Sequence, residues 1–330
     1  MCAAGALAYP ASTVDSDVLA PIRAHDLRVT QIGYRLAAAN VALCDRLEPG
    51  TGIVLHAIDQ YDRTTRPQLA RYFAPGHGAA VELILPGSAA EHGGVRADDA
   101  LVAIDGHAAV VPADGPFTTA TVVRLSSQIA GLPPGAPIRL DVIRAGAPLQ
   151  LTVFPQPICR SRYEVVADHG YASSADGDQV QLTDGLEDAL DDADLAVIVA
   201  HEIAHNVLHH PQKLDAAHVA GGVLAGFGRS VGYYRQTEIE ADILSVSLLA
   251  NAGYDPKLVA AFWRGFGQRN FASAFAIRTH PAPIDRAATT AHEAELVAAD
   301  SKRPHIPPIL ASRNRPLDGG WQAILIRGAA

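Results

Sequence analysis

His201-Glu202-Ile203-Ala204-His205 decides how this chain is read. The stretch has the form H-E-x-x-H, and the residues before it predict a helix. Asp191, Asp192 and Asp194 supply acids for a helix N-terminus, Leu195 to Ala200 runs apolar, and Pro211 marks the expected end. Two imidazoles four residues apart lie one turn from each other on one helical face, so both can reach the same metal ion. Glu202 points aside, within reach of a water in the ion's open position. Zinc held by three protein side chains keeps its fourth position for that water, so the expected chemistry is hydrolysis. A chance match leaves His201 and His205 as packed or solvated residues. Against that, a helix apolar on nearly every side is buried, and unpaired charge in such a place is costly unless something such as a metal offsets it.

A third ligand is sought downstream. Glu238-Ile239-Glu240-Ala241-Asp242 reads as the opening of a helix that runs through Leu248 and Leu249 and stops near Gly253. Glu238 and Asp242 are four apart and share a face. Glu238 suits the third ligand position, and Asp242, one turn on, suits the acceptor for the outer N–H of a ligating histidine. Glu240 falls on another face and is the weaker candidate. The competing reading is a solvated acidic helix start favoured by the helix dipole. His209 and His210 are read as surface residues or outer supports, because three successive turns of one straight helix diverge too far to surround one ion. Further on stand His280-Pro281 and Arg286.

Together these residues resemble the HtpX-like and CAAX-prenyl-protease-like zinc metallopeptidases of the gluzincin type. That family is marked by HExxH, then ExxxD, then a His-Pro pair followed by an arginine. The resemblance takes in the Gly253-Tyr254-Asp255-Pro256 turn and covers about residues 160 to 295. It implies a zinc-dependent endopeptidase acting on protein or peptide substrates, with one Zn2+ per chain on His201, His205 and Glu238. Glu202 would be the catalytic base, with Asp242 and Arg286 in support. His280 would stabilise the oxyanion or occupy the open metal position transiently; a helix-capping histidine before proline is the other reading. One departure is His169-Gly170-Tyr171-Ala172, where the family usually has an asparagine. Ser173 to Gly177 reads there as a loop, and Gln179 to Thr183 as the edge strand that aligns substrate. Relatives can hold the cleft shut, so a chaperone-like or peptide-binding protein with a site plugged by His280 or by residues 218–234 is the alternative. A zinc hydrolase of non-peptide substrates is a third.

A second module interrupts this pattern. Residues 80–110 contain a strand, then Pro86-Gly87-Ser88-Ala89-Ala90 opening a short helix, then a strand ending in Asp105-Gly106, a strong hairpin signal. Ile138 to Ile143 and Leu149 to Phe154 would complete a sheet. The pattern is similar to the PDZ domains of bacterial proteases, which implies capture of extended peptides at a sheet edge, with a terminal carboxylate near Gly76 to Ala80. A β-module serving only as a spacer is the alternative. The expected organisation is α+β: a mainly helical peptidase domain with a small sheet over residues 23–72 and 157–300, a PDZ-like insert over 73–156, and tails at 1–22 and 301–330. The helix predicted over Leu27 to Val41 and the strand over Gly52 to Ile58 are grouped with the peptidase. Cys44 and Cys159 flank the insert, either as a disulfide or as two buried thiols; the first suits an oxidising compartment.

With 330 residues, two domains are expected. A net charge of −9 argues against nucleic acid and against charge-driven docking on anionic lipid. No run of eighteen apolar residues suggests a transmembrane helix. Met1-Cys2-Ala3-Ala4-Gly5 is no complete signal peptide. Cys2 is a candidate lipidation site, which with the disulfide suggests a bacterial envelope or periplasmic location and misfolded envelope proteins as substrates.

Overall fold

The computed structural model describes residues 19–112, 115–219, 228–266 and 279–328. Cys2 and residues 220–227 of the 218–234 segment lie outside these. The chain enters through helix α1 (Ala20–Ala39), whose Val29, Ile32, Leu36 and Ala37 face inward at the spacing of one helical face. A short strand, β1 (Leu47–Gly50), leads into the insert. There follow β2 (Ile53–Ala57), helix α2 (Arg66–Leu69), β3 (Ala79–Ile84), helix α3 (Ala89–His92), β4 (Ala100–Ile104), β5 (His107–Ala108), helix α4 (Ala120–Ala130), β6 (Ile138–Arg144) and β7 (Ala147–Val153). Strand β8 (Gln156–Cys159) then returns antiparallel to β1, with Leu47 opposite Cys159.

The insert is a sheet in the order β2-β3-β4-β6-β7, with β5 paired to β4. Local signals build it as the sequence suggested. Ser88 caps α3 by accepting from the Glu91 amide, and Asp105 and Gly106 both take positive φ, 46° and 79°, in the two-residue hairpin between β4 and β5. Its core is separate: Leu55, Val81, Leu101, Ile104, Leu125, Ile138, Leu140 and Val142 pack together. Two features differ from the sequence expectation. Strand β2, grouped there with the flanking segments, pairs with β3, so the sheet begins well before residue 73. Sequence period identifies a strand but not its partner. Ala79 and Ala80 lie within β3, paired to Ala57 and His56, so their amides are not the open cradle expected for a carboxylate.

After β8 the chain forms β9 (Arg162–Val166), β10 (Ser173–Ala175) and β11 (Gln179–Thr183), ordered β10-β11-β9. Helices α5 (Asp184–Asp188), α6 (Asp192–Val207), α7 (His210–Ala216), α8 (Arg229–Asn251), α9 (Leu258–Phe266) and α10 (Pro283–Ala299) follow. Helices α1, α6, α8, α9 and α10 share one core, in which Leu36, Leu195, Ile203, Leu244, Leu248, Phe262 and Val297 meet. The fold is α+β, and α6 runs through its middle. Residues 300–328 fasten onto these helices: Arg313 Nε donates to the Val207 carbonyl at 2.8 Å, Arg327 pairs with Asp285 at 2.8 Å, and Trp321 is buried under the Arg235 guanidinium.

Cys44 and Cys159 are joined in a disulfide with a sequence separation of 115. The bridge ties the two crossings between the units beside the β1–β8 ladder. Cross-linking ends this far apart removes loop freedom from the unfolded chain, a contribution of about 2–4 kcal/mol. Replacing both cysteines by serine should lower the urea midpoint accordingly, and reduction of the parent protein should do the same. An unchanged midpoint in both would show that the bridge does not stabilise the fold.

Candidate active site

Helix α6 carries the HExxH stretch through the core. Asp191 caps it, its side chain accepting from the Asp194 amide at 2.9 Å, and every residue from Leu195 to Ala204 is buried. It ends sooner than Pro211 suggested. His209 takes φ +57°, which stops the helix after Val207, and Pro211 instead lies in the first turn of α7, where its missing amide costs nothing. Helix α8 begins earlier than expected, at Arg229, so Glu238 sits in mid-helix and no acid occupies the first turn. A dipole-favoured acidic start is therefore not the reason for Glu238 and Asp242.

The two helices bring His201, His205 and Glu238 together. His201 Nε2 and His205 Nε2 are 3.1 Å apart, His201 Nε2 is 3.3 Å from Glu238 Oε2, and His205 Nε2 is 3.6 Å from Glu238 Oε1. Ligands on tetrahedral zinc at about 2.0–2.1 Å are separated by roughly 3.3 Å. The three donors are thus spaced as the corners of one coordination sphere, and they form a group able to hold a metal ion. Glu238 Oε2 is buried without a hydrogen-bond partner. Burial pushes the His201 pKa down, but the Asp242 and Glu238 carboxylates outweigh it and hold it at about 10. Burial likewise pushes Glu238 up, but His280, His201 and His205 hold it well below the usual carboxylate range. The field at the centre of the triangle therefore calls for positive charge, and the residues fit a divalent metal ion.

Asp242 lies behind His201 with its side chain fully buried. Its Oδ1 is 3.2 Å from His201 Nδ1, an ion-pair distance but off the line of a hydrogen bond. The same carboxylate accepts from Arg286 Nε at 2.6 Å, Arg286 Nη2 at 2.7 Å and Trp263 Nε1 at 3.1 Å. Arg286 stacks on the Trp263 ring and reaches Glu238 Oε2 at 3.3 Å. His280 is partly exposed, and its Nε2 is 3.2 Å from Glu238 Oε2; it borders the ligand group without belonging to it.

Glu202 is 7% exposed, and its Oε1 accepts from Ser173 Oγ at 2.6 Å. Burial raises its pKa above the ordinary glutamate value. Ser173 belongs to β10, which corrects the expectation of a loop at 173–177 and an edge strand at 179–183. Strand β11 is the middle strand, bonded on both sides, and β10 is the edge. Asn206 fixes this sheet to α6: its Oδ1 accepts from the Gly177 amide at 2.6 Å and its Nδ2 donates to the Gln179 carbonyl at 3.2 Å.

Of the two places the sequence leaves open for His210, surface or outer support, the structure shows the second: it is fully buried, and its Nδ1 is 3.0 Å from His205 Nδ1. The kink at His209 makes this possible by turning the chain back on α6. His210 Nε2 faces Glu240 Oε2 at 3.2 Å, and Glu240 accepts from Ser312 Oγ at 2.7 Å and Gln236 Nε2 at 2.8 Å. Burial pushes Glu240 up, but His210 and these donors outweigh it and bring it down to about 2. Glu240 is on another face of α8, as expected, yet it holds the outer side of His205. His209 faces away, towards Asp45.

Two histidines four apart on one helix, a glutamate from a second helix and an acid between the histidines form the arrangement that the resemblance to gluzincin-type metallopeptidases implies. Residues 160–228 and 215–294 match the model of peptidase family M48. The mitochondrial metalloendopeptidase OMA1 of Schizosaccharomyces pombe is 30% identical over 114 residues, which are 28% of this chain and 34% of that protein. The chain thus spans about a third of the length of this curated relative.

Removing an outer support of a ligating histidine weakens metal binding 10- to 100-fold. His210→Ala should do so in competition with a zinc-binding dye while leaving the circular dichroism spectrum unchanged. Asp242→Ala leaves Arg286 buried without its partner and should cost about 3–5 kcal/mol of stability in chemical unfolding.

Proposed function

We propose that the protein is a zinc-dependent endopeptidase that hydrolyses peptide bonds in protein substrates. The observation that carries this reading is the triangle of His201, His205 and Glu238 with Glu202 beside it, tethered to an edge strand through Ser173. The family match and the metalloendopeptidase relative support it.

A zinc ion on these three side chains would polarise the scissile carbonyl and acidify the attacking water. Glu202 takes the proton from that water and delivers it to the leaving amine. Its raised pKa suits both acts, because a general base works best near the ambient pH. The Ser173 hydroxyl holds the carboxylate in place and so fixes the line of attack. Strand β10 offers its outer edge to the substrate backbone, aligning it by strand addition beside α6. His280, partly exposed at the rim, is placed to stabilise the oxyanion. Asp242 and Arg286 act only through His201 and Glu238.

The insert would recruit peptide in the manner of a PDZ domain. The Cys44–Cys159 bridge favours an oxidising compartment such as the periplasm, with misfolded envelope proteins as substrates. No helix among the described residues is long and apolar enough to cross a membrane. A second reading, a chaperone-like protein with a plugged site, is favoured only by the contact of His280 with the ligand Glu238.

Unfolded casein distinguishes the two. The zinc-loaded protein should cut it, a chelator should stop the reaction, and added zinc should restore it. Glu202→Gln should keep its zinc while the rate falls about 10²–10⁴-fold. A variant as fast as the parent rules out the mechanism, and suppressed aggregation without fragments supports the chaperone.

A further inference from the structure

Between the insert and the peptidase body lies a cavity of about 190 Å³. Strand β2 and helix α4 form one wall, and helix α1 with strand β9 forms the other. Ile22 and Val123 stand exposed at its rim, so it is open to solvent. Strand β2 is the end strand of its sheet, and among the described residues no strand pairs with its outer side. The wall beside it is apolar at Val54, Val122 and Ile129, a surface suited to the stem of a long side chain.

The polar part of the lining is acidic. Asp26 from α1, Glu48 from β1 and Glu82 from β3 are each more than nine-tenths buried, and all three line the cavity. Among the described residues, Glu82 Oε1 and Glu48 Oε2 have no hydrogen-bond partner. Asp26 accepts from the Val165 amide and shares a hydrogen bond with Glu82, and Glu48 Oε1 accepts from the Ser161 amide, but a buried carboxylate oxygen left unbonded is expensive. The nearby guanidinium groups lower these carboxyls through their charge but bond to other residues: Arg23 pairs with Asp98, Arg160 with Asp178, and Arg162 donates to Ser127. Burial accordingly pushes Asp26 up to about 6 and Glu48 up to about 7. Glu82 is raised well above the usual carboxylate range by burial and by Asp26 beside it. Burial thus favours the neutral acids, and a cation placed among them would supply donors to the unbonded oxygens and draw these groups into their ionised form.

We propose that this cavity docks an extended peptide segment bearing an arginine or lysine side chain, with its backbone along the outer edge of β2 and its cation among Glu48, Glu82 and Asp26. The inference rests on the reading that the insert recruits peptide, and it names what is recruited. Strand addition supplies affinity without regard to sequence, and the buried acids supply the selection. Strand β9 forms the far wall and pairs with β11, which in turn pairs with the edge strand β10 at the active site. A segment held in the cavity is thereby tethered to the unit that carries the catalytic residues.

The test uses the full chain with zinc and Glu202→Gln, so that the peptide survives. The probe is a fluorescently labelled peptide, Val-Thr-Arg-Thr-Val, blocked at its C-terminus, together with its glutamine analogue and an unblocked analogue lacking arginine. The arginine peptide should bind at least about tenfold more tightly than the glutamine analogue, the usual scale for a buried charge-assisted hydrogen bond. Glu82→Gln and Glu48→Gln, which keep side-chain shape, should erase most of that preference while leaving the glutamine analogue unaffected. Equal binding of the two blocked peptides, or no binding of either at 1 mM, overturns the proposal. Binding of the unblocked peptide alone also overturns it, while leaving peptide recruitment by the insert intact. The casein assay fails or succeeds independently of all these outcomes.

Discussion

The bidentate contact between Asp242 and Arg286 is the interaction on which the catalytic half depends. Asp242 comes from α8, Arg286 from α10, Trp263 from α9, and the imidazole they steady, His201, from α6. Four helices therefore converge on one carboxylate. A charge this deeply buried is tolerated only when its partners are in place, so the helices cannot shift separately without exposing an unpaired ion. The apolar core determines that these helices pack; the Asp242 contact determines in which register they do so.

The rest of the chain repeats the same device around the other ligand. His205 is backed by His210, His210 by Glu240, and Glu240 by Ser312 from the C-terminal stretch. Residues beyond 300, which have no motif, thus take part in orienting a ligand more than a hundred positions away. Glu202 is held by a third route, through Ser173 on the edge strand, while Asn206 fastens the edge-strand sheet to α6. Each functional side chain is thereby tied to a different piece of scaffold, which is how rigidity is obtained at a site made of long, flexible side chains.

What the sequence revealed was whatever a helical period carries. The shared face of His201 and His205, and of Glu238 and Asp242, follows from spacing, and so do the cap at Asp191 and the hairpin at Asp105-Gly106. What it concealed depended on partners distant along the chain or on a single unusual dihedral. The sequence leaves His210 between surface and outer support because the kink at His209, a non-glycine residue at positive φ, leaves no pattern in composition. Glu240 is on the face away from the metal, and only the folded path of α7 gives it a role. The edge strand was misplaced because β10 is three residues long, too short to show alternation. Strand β2 was recognisable as a strand, but pairing across an interval that contains α2 is set by the sheet and not by the segment.

Charge explains why the arrangement has these members and not others. Glu202, Glu238 and Asp242 put three carboxylates into a nearly dry space, and Arg286 returns one positive charge. With neutral imidazoles the remainder is two negative charges, which a divalent cation matches. Without Arg286 the same site would hold its metal with an uncompensated negative charge, and burial would drive another of the acids towards its protonated form. That burden would fall on Glu202, whose pKa burial already raises, and a protonated Glu202 cannot accept from water. Arg286 pairs with Asp242, reaches Glu238, and by its charge lowers the pKa of Glu202 against the effect of burial.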